Sequence, residues 1–209
     1  NAGVDLFFVL SGYLIYGSLL SRPQRFFDFF LRRVERIYPA FTAVFALYVG
    51  LSYISPAERK IPHGTLDAGI YLLQNYLLLP GLFPIEPMIT VAWSLSYEMF
   101  YYLAVPFLIM AFGLRERSAT LRVAAFSALA CIAAAYCAVN GGPVRLLMFI
   151  SGILLYEAKV SRTATFLGSW TALMFLAGGL LLVLLPVQGN AGETLKTAIL
   201  FFAFLVLCL

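Results

Sequence analysis

Long apolar runs alternate with short polar segments along the whole chain. Runs of this length are typical of helices that cross a membrane, because a transmembrane helix needs about 20 predominantly apolar residues. The pattern predicts seven helices, at 4–20, 38–54, 91–113, 121–139, 144–157, 166–187 and 195–209. The expected fold is therefore all-α, a polytopic transmembrane helical bundle.

Two segments fit this pattern less well than the others. The run 144–157 is short and contains Arg145 near its start, so we expect it to be tilted or to lie among neighbouring helices. The segment 66–90 is apolar but contains Gln74, Asn75 and several prolines. These residues favour an interfacial or re-entrant segment on the outer side over a full span.

The composition supports a membrane protein. Of the 209 residues, 62% are hydrophobic and 11% are charged, whereas a soluble domain is about 25% charged. The chain begins at Asn1 without an initiator Met, and its last apolar run is too short to span a membrane. We therefore expect residues 1–209 to be a single membrane domain, truncated at both ends.

The distribution of basic residues predicts the orientation of the bundle. The loop 21–37 holds five arginines, and with the segments 114–122 and 158–165 its side of the membrane has ten basic residues, against four on the other side. Cytoplasmic loops carry the excess of Lys and Arg. We therefore expect the Arg-rich loop 21–37 to be cytoplasmic.

The first apolar run contains Asp5 and the small residues Ser11 and Gly12. A carboxylate within a membrane helix costs about 2.5–3.5 kcal/mol even on mild scales, which makes Asp5 a functional candidate. Gly12 would allow close approach of another backbone or of a thin substrate chain. The alternative is structural: Asp5 caps the helix, and Ser11 and Gly12 form a notch for helix packing.

Arg32, Arg33 and Arg36 project to one side of a helix by their spacing and lie at the membrane edge. Guanidinium groups suit phosphates, so this cluster is a candidate anion site. The alternative is a topology signal that contacts anionic lipid headgroups. Pro39 follows the cluster and is expected to set the start of the helix 38–54.

Glu98 lies about two turns inside its predicted helix and is the second intramembrane carboxylate that we consider functional. Ser94 and Tyr102 are four residues on either side of it, so a polar stripe is expected on one face. Pro106 cannot bond to the Tyr102 carbonyl, which favours a kink. The structural alternative is an ion pair between Glu98 and Arg145.

Other kinds of site find little support. The single histidine, His63, is expected to be a solvated loop residue rather than a general base. The three cysteines lie in apolar runs without the spacing of metal ligands, so we expect no metal site. The basic residues lie at the ends of apolar runs, and we expect no nucleic-acid partner.

Four blocks of the sequence resemble the integral-membrane acyltransferase family 3, whose members O-acylate surface sugars. They occur in family order, and the fourth is the weakest: 3–15 (GVDLFFVLSGYLI), 32–39 (RRVERIYP), 93–102 (WSLSYEMFYY) and 145–152 (RLLMFISG). The resemblance implies an enzyme that takes an acyl group from acyl-CoA, as a co-substrate rather than a bound cofactor, and passes it to an acceptor hydroxyl.

The resemblance also implies roles for individual residues. The three arginines become candidates for the CoA phosphates, and Ser11 and Gly12 would line the path of the pantetheine and acyl chain. Asp5, Glu98 and Arg145 would belong to the polar centre where donor and acceptor meet. Trp93, in the third block, is a further candidate for substrate binding.

One departure from the family concerns its catalytic histidine. In the family this residue lies on a helix before the Gly-Val-Asp block, and His63 follows that block. We therefore expect the chain as given to lack its general base and to be inactive by itself.

The sequence predicts a membrane O-acyltransferase that moves an acyl group, most simply acetyl, from acyl-CoA to a hydroxyl of a cell-surface glycan or glycolipid. The expected location is a bacterial inner membrane. One alternative is a transporter or flippase-like protein with an intramembrane polar pathway, and another is a structural membrane subunit. Dependence on an ion gradient, or tolerance of Asp5→Asn and Glu98→Gln, would distinguish these alternatives.

Overall fold

The computed structural model describes residues 2–54, 60–160, 189, 190, 192 and 194–199, and in these residues all regular secondary structure is helical. Six α-helices are α1 (Ala2–Ser21), α2 (Phe26–Ile54), α3 (Thr65–Tyr76), α4 (Trp93–Ala111), α5 (Ala119–Asn140) and α6 (Leu146–Val160). A 3-10 helix, Thr90–Ala92, leads directly into α4. The prediction of an all-α fold is confirmed.

Four helices are long and apolar enough to cross a membrane, namely Gly3–Ser21, Phe26–Ile54, Thr90–Ala111 and Ala119–Asn140. They correspond to four of the predicted spans, and the chain is an integral membrane protein. The predicted helix 166–187 lies outside the described residues. Of the predicted helix 195–209, the described part, up to residue 199, is helical.

The start of α2 differs from the prediction. The segment 21–37 was expected to be a loop, but α2 already begins at Phe26 and runs through Pro39, which lies in its interior. The charged residues of this segment lower its hydropathy, yet Leu, Arg and Glu are good helix formers. The prediction that Pro39 marks a helix start is therefore wrong. The helix continues through Pro39 because a membrane helix tolerates the loss of the single hydrogen bond that proline removes.

The apolar segment 66–90 does not form a span. Its helix, α3, has 12 residues and is about 18 Å long, which is shorter than a hydrocarbon core of about 30 Å. Asn75 organises the chain that follows: its Oδ1 accepts a hydrogen bond from the Met88 amide at 2.7 Å, and its Nδ2 donates to the Tyr71 carbonyl at 3.0 Å. The choice between an interfacial and a re-entrant position stays a prediction.

The chain divides into two compact units, which we describe separately. Unit 1 consists of Asn1–Pro23 and Phe107–Leu209, and unit 2 consists of Gln24–Pro106. One boundary lies in the short connection between α1 and α2, and the other follows Pro106 within α4.

Unit 1 is built on close packing of α1 against α6. A Cβ on Gly12 would lie 2.1 Å from the carbonyl oxygen of Phe149, and a Cβ on Gly152 would lie 1.9 Å from that of Val9. Further along, Gly17 contacts the ring of Tyr156. From Gly12 opposite Phe149 to Gly17 opposite Tyr156, the contact advances toward the C-terminal end of both helices, so α1 and α6 run parallel.

The helix α6 is short but almost completely enclosed. Nine consecutive residues, from Leu147 to Leu155, are buried, and so is Glu157. A helix that is apolar all round is typical of a bundle interior. Of the two alternatives for 144–157, the structure favours a helix that lies among its neighbours.

Unit 2 has a core where α2 and α3 meet the loop before α4. Its buried residues are Phe41, Phe45, Ile61, Tyr71, Leu78, Met88, Ile89 and Ala92. This core anchors α2 beside the segment that leads into α4.

Candidate functional site

In unit 2, the carboxylate of Glu98 accepts a hydrogen bond from the hydroxyl of Tyr102. The two residues are one helical turn apart on α4, at the spacing that places side chains on the same face. Both are buried, with 8% of Glu98 and 1% of Tyr102 exposed. The predicted polar stripe is confirmed for this pair, whereas Ser94 donates to the Val91 carbonyl at 3.1 Å.

Arg33 lies against two aromatic rings of the same unit. Its guanidinium carbon is 5.3 Å from the centroid of the Phe29 ring and 5.3 Å from that of the Tyr102 ring. The two rings meet edge to face, with centroids 6.1 Å apart. A guanidinium within about 6 Å of a ring centroid is attracted to the ring face. Arg33 is therefore held next to the residue that binds Glu98.

Arg32 and Arg36 are exposed, one helical turn apart on α2. Arg32 donates to the side-chain oxygen of Gln24. Arg36 is near enough to Tyr102 for its charge to act on the hydroxyl, as does the charge of Arg33. The cluster thus combines one guanidinium packed on rings with two that face outward.

Trp93 begins α4 and is half-buried. Its ring meets that of Tyr97 edge to face at 5.5 Å. Gly81 has a φ of +97° and packs on the main chain of Trp93. A Cβ on Gly81 would lie 3.1 Å from the Trp93 Cβ. The loop before α4 therefore fixes the position of the Trp93 Cβ. The role of Trp93 in substrate binding stays a prediction.

In unit 1, Asp5 is buried in the first turn of α1, with 6% of its surface exposed. Among the described residues no donor reaches its Oδ1. The positive charge of Arg145, which immediately precedes α6, acts on this carboxylate. Asp5 and Arg145 are thus brought together at the start of two parallel helices. The alternative pair of Arg145 with Glu98 joins residues of different units and stays a prediction.

Gly12 lies within the contact between α1 and α6, and Ser11 precedes it on α1. Ser11 is buried, with 8% of its surface exposed, and Gly12 packs against the backbone of Phe149. The group that approaches Gly12 closely is the backbone of another helix, as in the structural alternative. A further role of either residue along a substrate path stays a prediction.

A second polar cluster in unit 1 was not anticipated from the sequence. Arg122 donates from Nε to Oε1 of Glu157 at 2.6 Å and from Nη2 to Oε2 at 2.9 Å. The hydroxyl of Tyr16 also donates to Glu157. Glu157 has no exposed surface. A carboxylate within an apolar run is the available signal in the sequence, but the local pattern does not identify its partner, Arg122, which lies in the first turn of α5.

The remaining polar candidates are isolated. His63 is exposed in the loop before α3, as predicted for a solvated histidine. Within the described ranges there is no group of three His, Cys, Asp or Glu side chains that would bind a metal ion. Cys131 is exposed and Cys137 is buried, both as free thiols, and Cys208 lies outside the described residues.

Comparison with known proteins agrees with the resemblance of the four sequence blocks. A family model described as an acyltransferase domain, that of acyltransferase family 3, matches residues 1–209. No solved structure matches the chain.

Three similar proteins each align with 51% of this chain. An uncharacterized protein of Haemophilus influenzae is 34% identical over 121 residues, which are 48% of its length. The acyltransferase MdmB of Streptomyces mycarofaciens is 34% identical over 111 residues, or 27% of its length. The O-acetyltransferase OatA of Staphylococcus aureus is 32% identical over 119 residues, or 20% of its length. The chain thus matches half or less of each of these relatives, and by the family match along all of its residues it belongs to the membrane acyltransferase family 3.

Proposed function

We propose that the protein containing this chain is a membrane O-acyltransferase that transfers an acyl group, most simply acetyl, from acyl-CoA to a hydroxyl of a cell-surface glycan or glycolipid. The observation that carries the proposal is the arrangement in unit 2, where Arg33, one of three arginines near the start of α2, contacts Tyr102, whose hydroxyl donates to the buried Glu98. The family match and the O-acetyltransferase relative support the same reaction class.

The three arginines near the start of α2 are suited to bind the acyl donor, acyl-CoA. Coenzyme A carries phosphate groups, and guanidinium forks bind phosphate oxygens with charge-assisted hydrogen bonds. Arg32 and Arg36 are exposed on α2, and Arg33 lies beside them, so all three are assigned to the phosphates of acyl-CoA. The five arginines of residues 21–37 support a cytoplasmic position for this segment, and we propose a bacterial inner membrane as its location.

The order of residues along α4 suits a transfer between two substrates. With about 1.5 Å of rise per residue, Trp93 precedes Glu98 by about 7.5 Å along the helix axis, and Tyr102 follows Glu98 by about 6 Å. Because Arg33 contacts Tyr102, we assign the Tyr102 end of this row of residues to the donor. We assign Trp93 to the acceptor, so that Glu98 lies between the two substrates.

The reaction needs a base and support for an oxyanion. The acceptor hydroxyl loses its proton to the base, its oxygen bonds to the thioester carbon, and the C–S bond breaks to release CoA as a thiolate that takes up a proton. The family histidine expected before Gly3 would be the base. In unit 2, the buried Glu98 would orient the reacting groups.

Release of free thiol from acyl-CoA tests this proposal. Membranes containing the full-length protein are incubated with short-chain acyl-CoAs, with and without cell-envelope glycan. Thiol release that requires the glycan, and that is lost in Glu98→Gln, supports the proposal. No release from any acyl-CoA, together with a dependence of glycolipid movement on a proton gradient, would favour the transporter alternative instead.

A further inference from the structure

Tyr102 is the side chain that links the arginine cluster to the carboxylate of unit 2. The face of its ring receives the guanidinium of Arg33, and its hydroxyl donates to Glu98. It is 1% exposed, and Phe29, which packs against its edge, is 2% exposed. A ring enclosed in this way has little freedom to move independently of its neighbours.

The two contacts of Tyr102 use different parts of the side chain. The cation–π contact depends on the ring face and is kept by phenylalanine. The hydrogen bond depends on the hydroxyl and is lost with phenylalanine. The two contacts can therefore be removed separately by substitution.

The contact between Phe29 and Arg33 can be changed independently of Tyr102. It offers a second ring at 5.3 Å to the same guanidinium but comes from α2, whereas Tyr102 comes from α4. A planar guanidinium packed on two rings is oriented before any anion binds, which lowers the entropy lost on binding. The contact also fixes the ring whose hydroxyl orients the carboxylate.

We propose that Tyr102 is a positioning residue that couples donor binding to the orientation of Glu98, with its ring holding Arg33 and its hydroxyl holding the carboxylate. The inference rests on the proposed acyltransferase function and adds a residue to it. Binding of an anionic donor group at Arg33 then favours one position of the Tyr102 ring, and with it one orientation of the carboxylate.

The test compares kcat and KM for acetyl-CoA in the full-length protein, expressed per mole of folded enzyme. Tyr102→Phe keeps the ring and is expected to lower kcat by about 10- to 100-fold, because the reacting geometry loosens, with KM within about twofold of the wild type because the ring face is retained. Tyr102→Leu removes both contacts and is expected to lower kcat and raise KM together. Tyr48→Phe, which removes an exposed hydroxyl on α2, is the matched control and should leave both constants unchanged.

A second variant keeps the test decisive if Tyr102→Phe is not recovered as folded protein. Phe29→Leu removes one ring under Arg33 and is expected to raise KM for acetyl-CoA roughly three- to tenfold, with kcat little changed. Phe27→Leu, on the exposed side of the same helix turn, is its control. An unchanged KM in Phe29→Leu would contradict the role of the rings.

The outcomes separate this inference from the function on which it rests. A wild-type protein that releases no thiol from any acyl-CoA contradicts the proposed function. An active wild type with a Tyr102→Phe variant of equal kcat contradicts the coupling alone. A Tyr102→Phe variant whose KM rises as much as that of Tyr102→Leu would also overturn the coupling, because the retained ring should still hold Arg33.

Discussion

The guanidinium of Arg122 binds both carboxylate oxygens of Glu157, at 2.6 and 2.9 Å, and thereby joins the first turn of α5 to the end of α6. The same guanidinium donates from Nη1 to the Arg117 carbonyl at 2.5 Å, in the turn between α4 and α5. Tyr16 adds a hydrogen bond from α1. The pair of Glu157 and Arg122, together with Tyr16, therefore connects three helices and a turn of unit 1.

Removal of the Glu157 charge is expected to destabilise the protein by about 3–5 kcal/mol, because it leaves a buried guanidinium without its partner. Thermal unfolding of the full-length protein in detergent measures this for Glu157→Gln. Glu116→Gln, at an exposed position in the turn before α5, is the control and should unfold as the wild type does. Unfolding of Glu157→Gln at the wild-type temperature would contradict a structural role of the pair.

Gly12→Ala is expected to separate α1 from α6, because the new Cβ would lie 2.1 Å from the Phe149 carbonyl oxygen. Such overpacking costs roughly 1–3 kcal/mol. Gly50→Ala provides the comparison, since no atom lies within 4 Å of its Cβ position and alanine favours a helix. We expect a lower unfolding temperature for Gly12→Ala only, and equal temperatures for both variants would refute the close contact.

Asn75→Leu is expected to release the loop before α4, because the buried Met88 amide loses its acceptor at 2.7 Å. An unsatisfied buried amide costs about 1–3 kcal/mol. Hydrogen exchange in the peptide around Met88 should become faster than in the wild type, whereas Gln74→Leu on the neighbouring position of α3 should leave it unchanged. Slow exchange in both variants would show that Asn75 does not organise the loop.

Arg32→Gln and Arg36→Gln are each expected to raise KM for acyl-CoA by roughly 10- to 100-fold, the loss that follows from removing a hydrogen bond to a charged group. Arg25→Gln removes the same charge at an exposed position in the connection before α2 and should have little effect. If all three variants weaken binding equally, the arginines act through general charge at the membrane surface, as in the lipid alternative.

The sequence predicts those features that depend on local pattern. The apolar runs give α1, α4 and α5 nearly to their ends, because length and hydropathy decide whether a segment crosses a membrane. The bond between Tyr102 and Glu98 also follows from local spacing, since residues four apart share a helix face.

Features that depend on distant partners are not contained in the local pattern. Arg122 and Glu157 are 35 positions apart, and their pairing requires that α5 and α6 pack together. Likewise, the sequence around Gly12 is compatible with a substrate channel or with a helix contact, and only the position of Phe149 beside it shows the helix contact. Hydropathy alone predicts a loop at the charged start of α2, because the arginines lower the average while the burial of Phe29 depends on packing.

Transfer of an isotope-labelled acetyl group tests at once whether acyl-CoA is the donor and whether an envelope hydroxyl is the acceptor, as we propose. Full-length wild-type protein, Glu98→Gln and the Arg25→Gln control are incubated in membranes with labelled acetyl-CoA and cell-envelope glycan. We expect base-labile label on the glycan with the wild type and the control, and none with Glu98→Gln. Equal labelling by Glu98→Gln, or none with the wild type while all three proteins are folded, would contradict it.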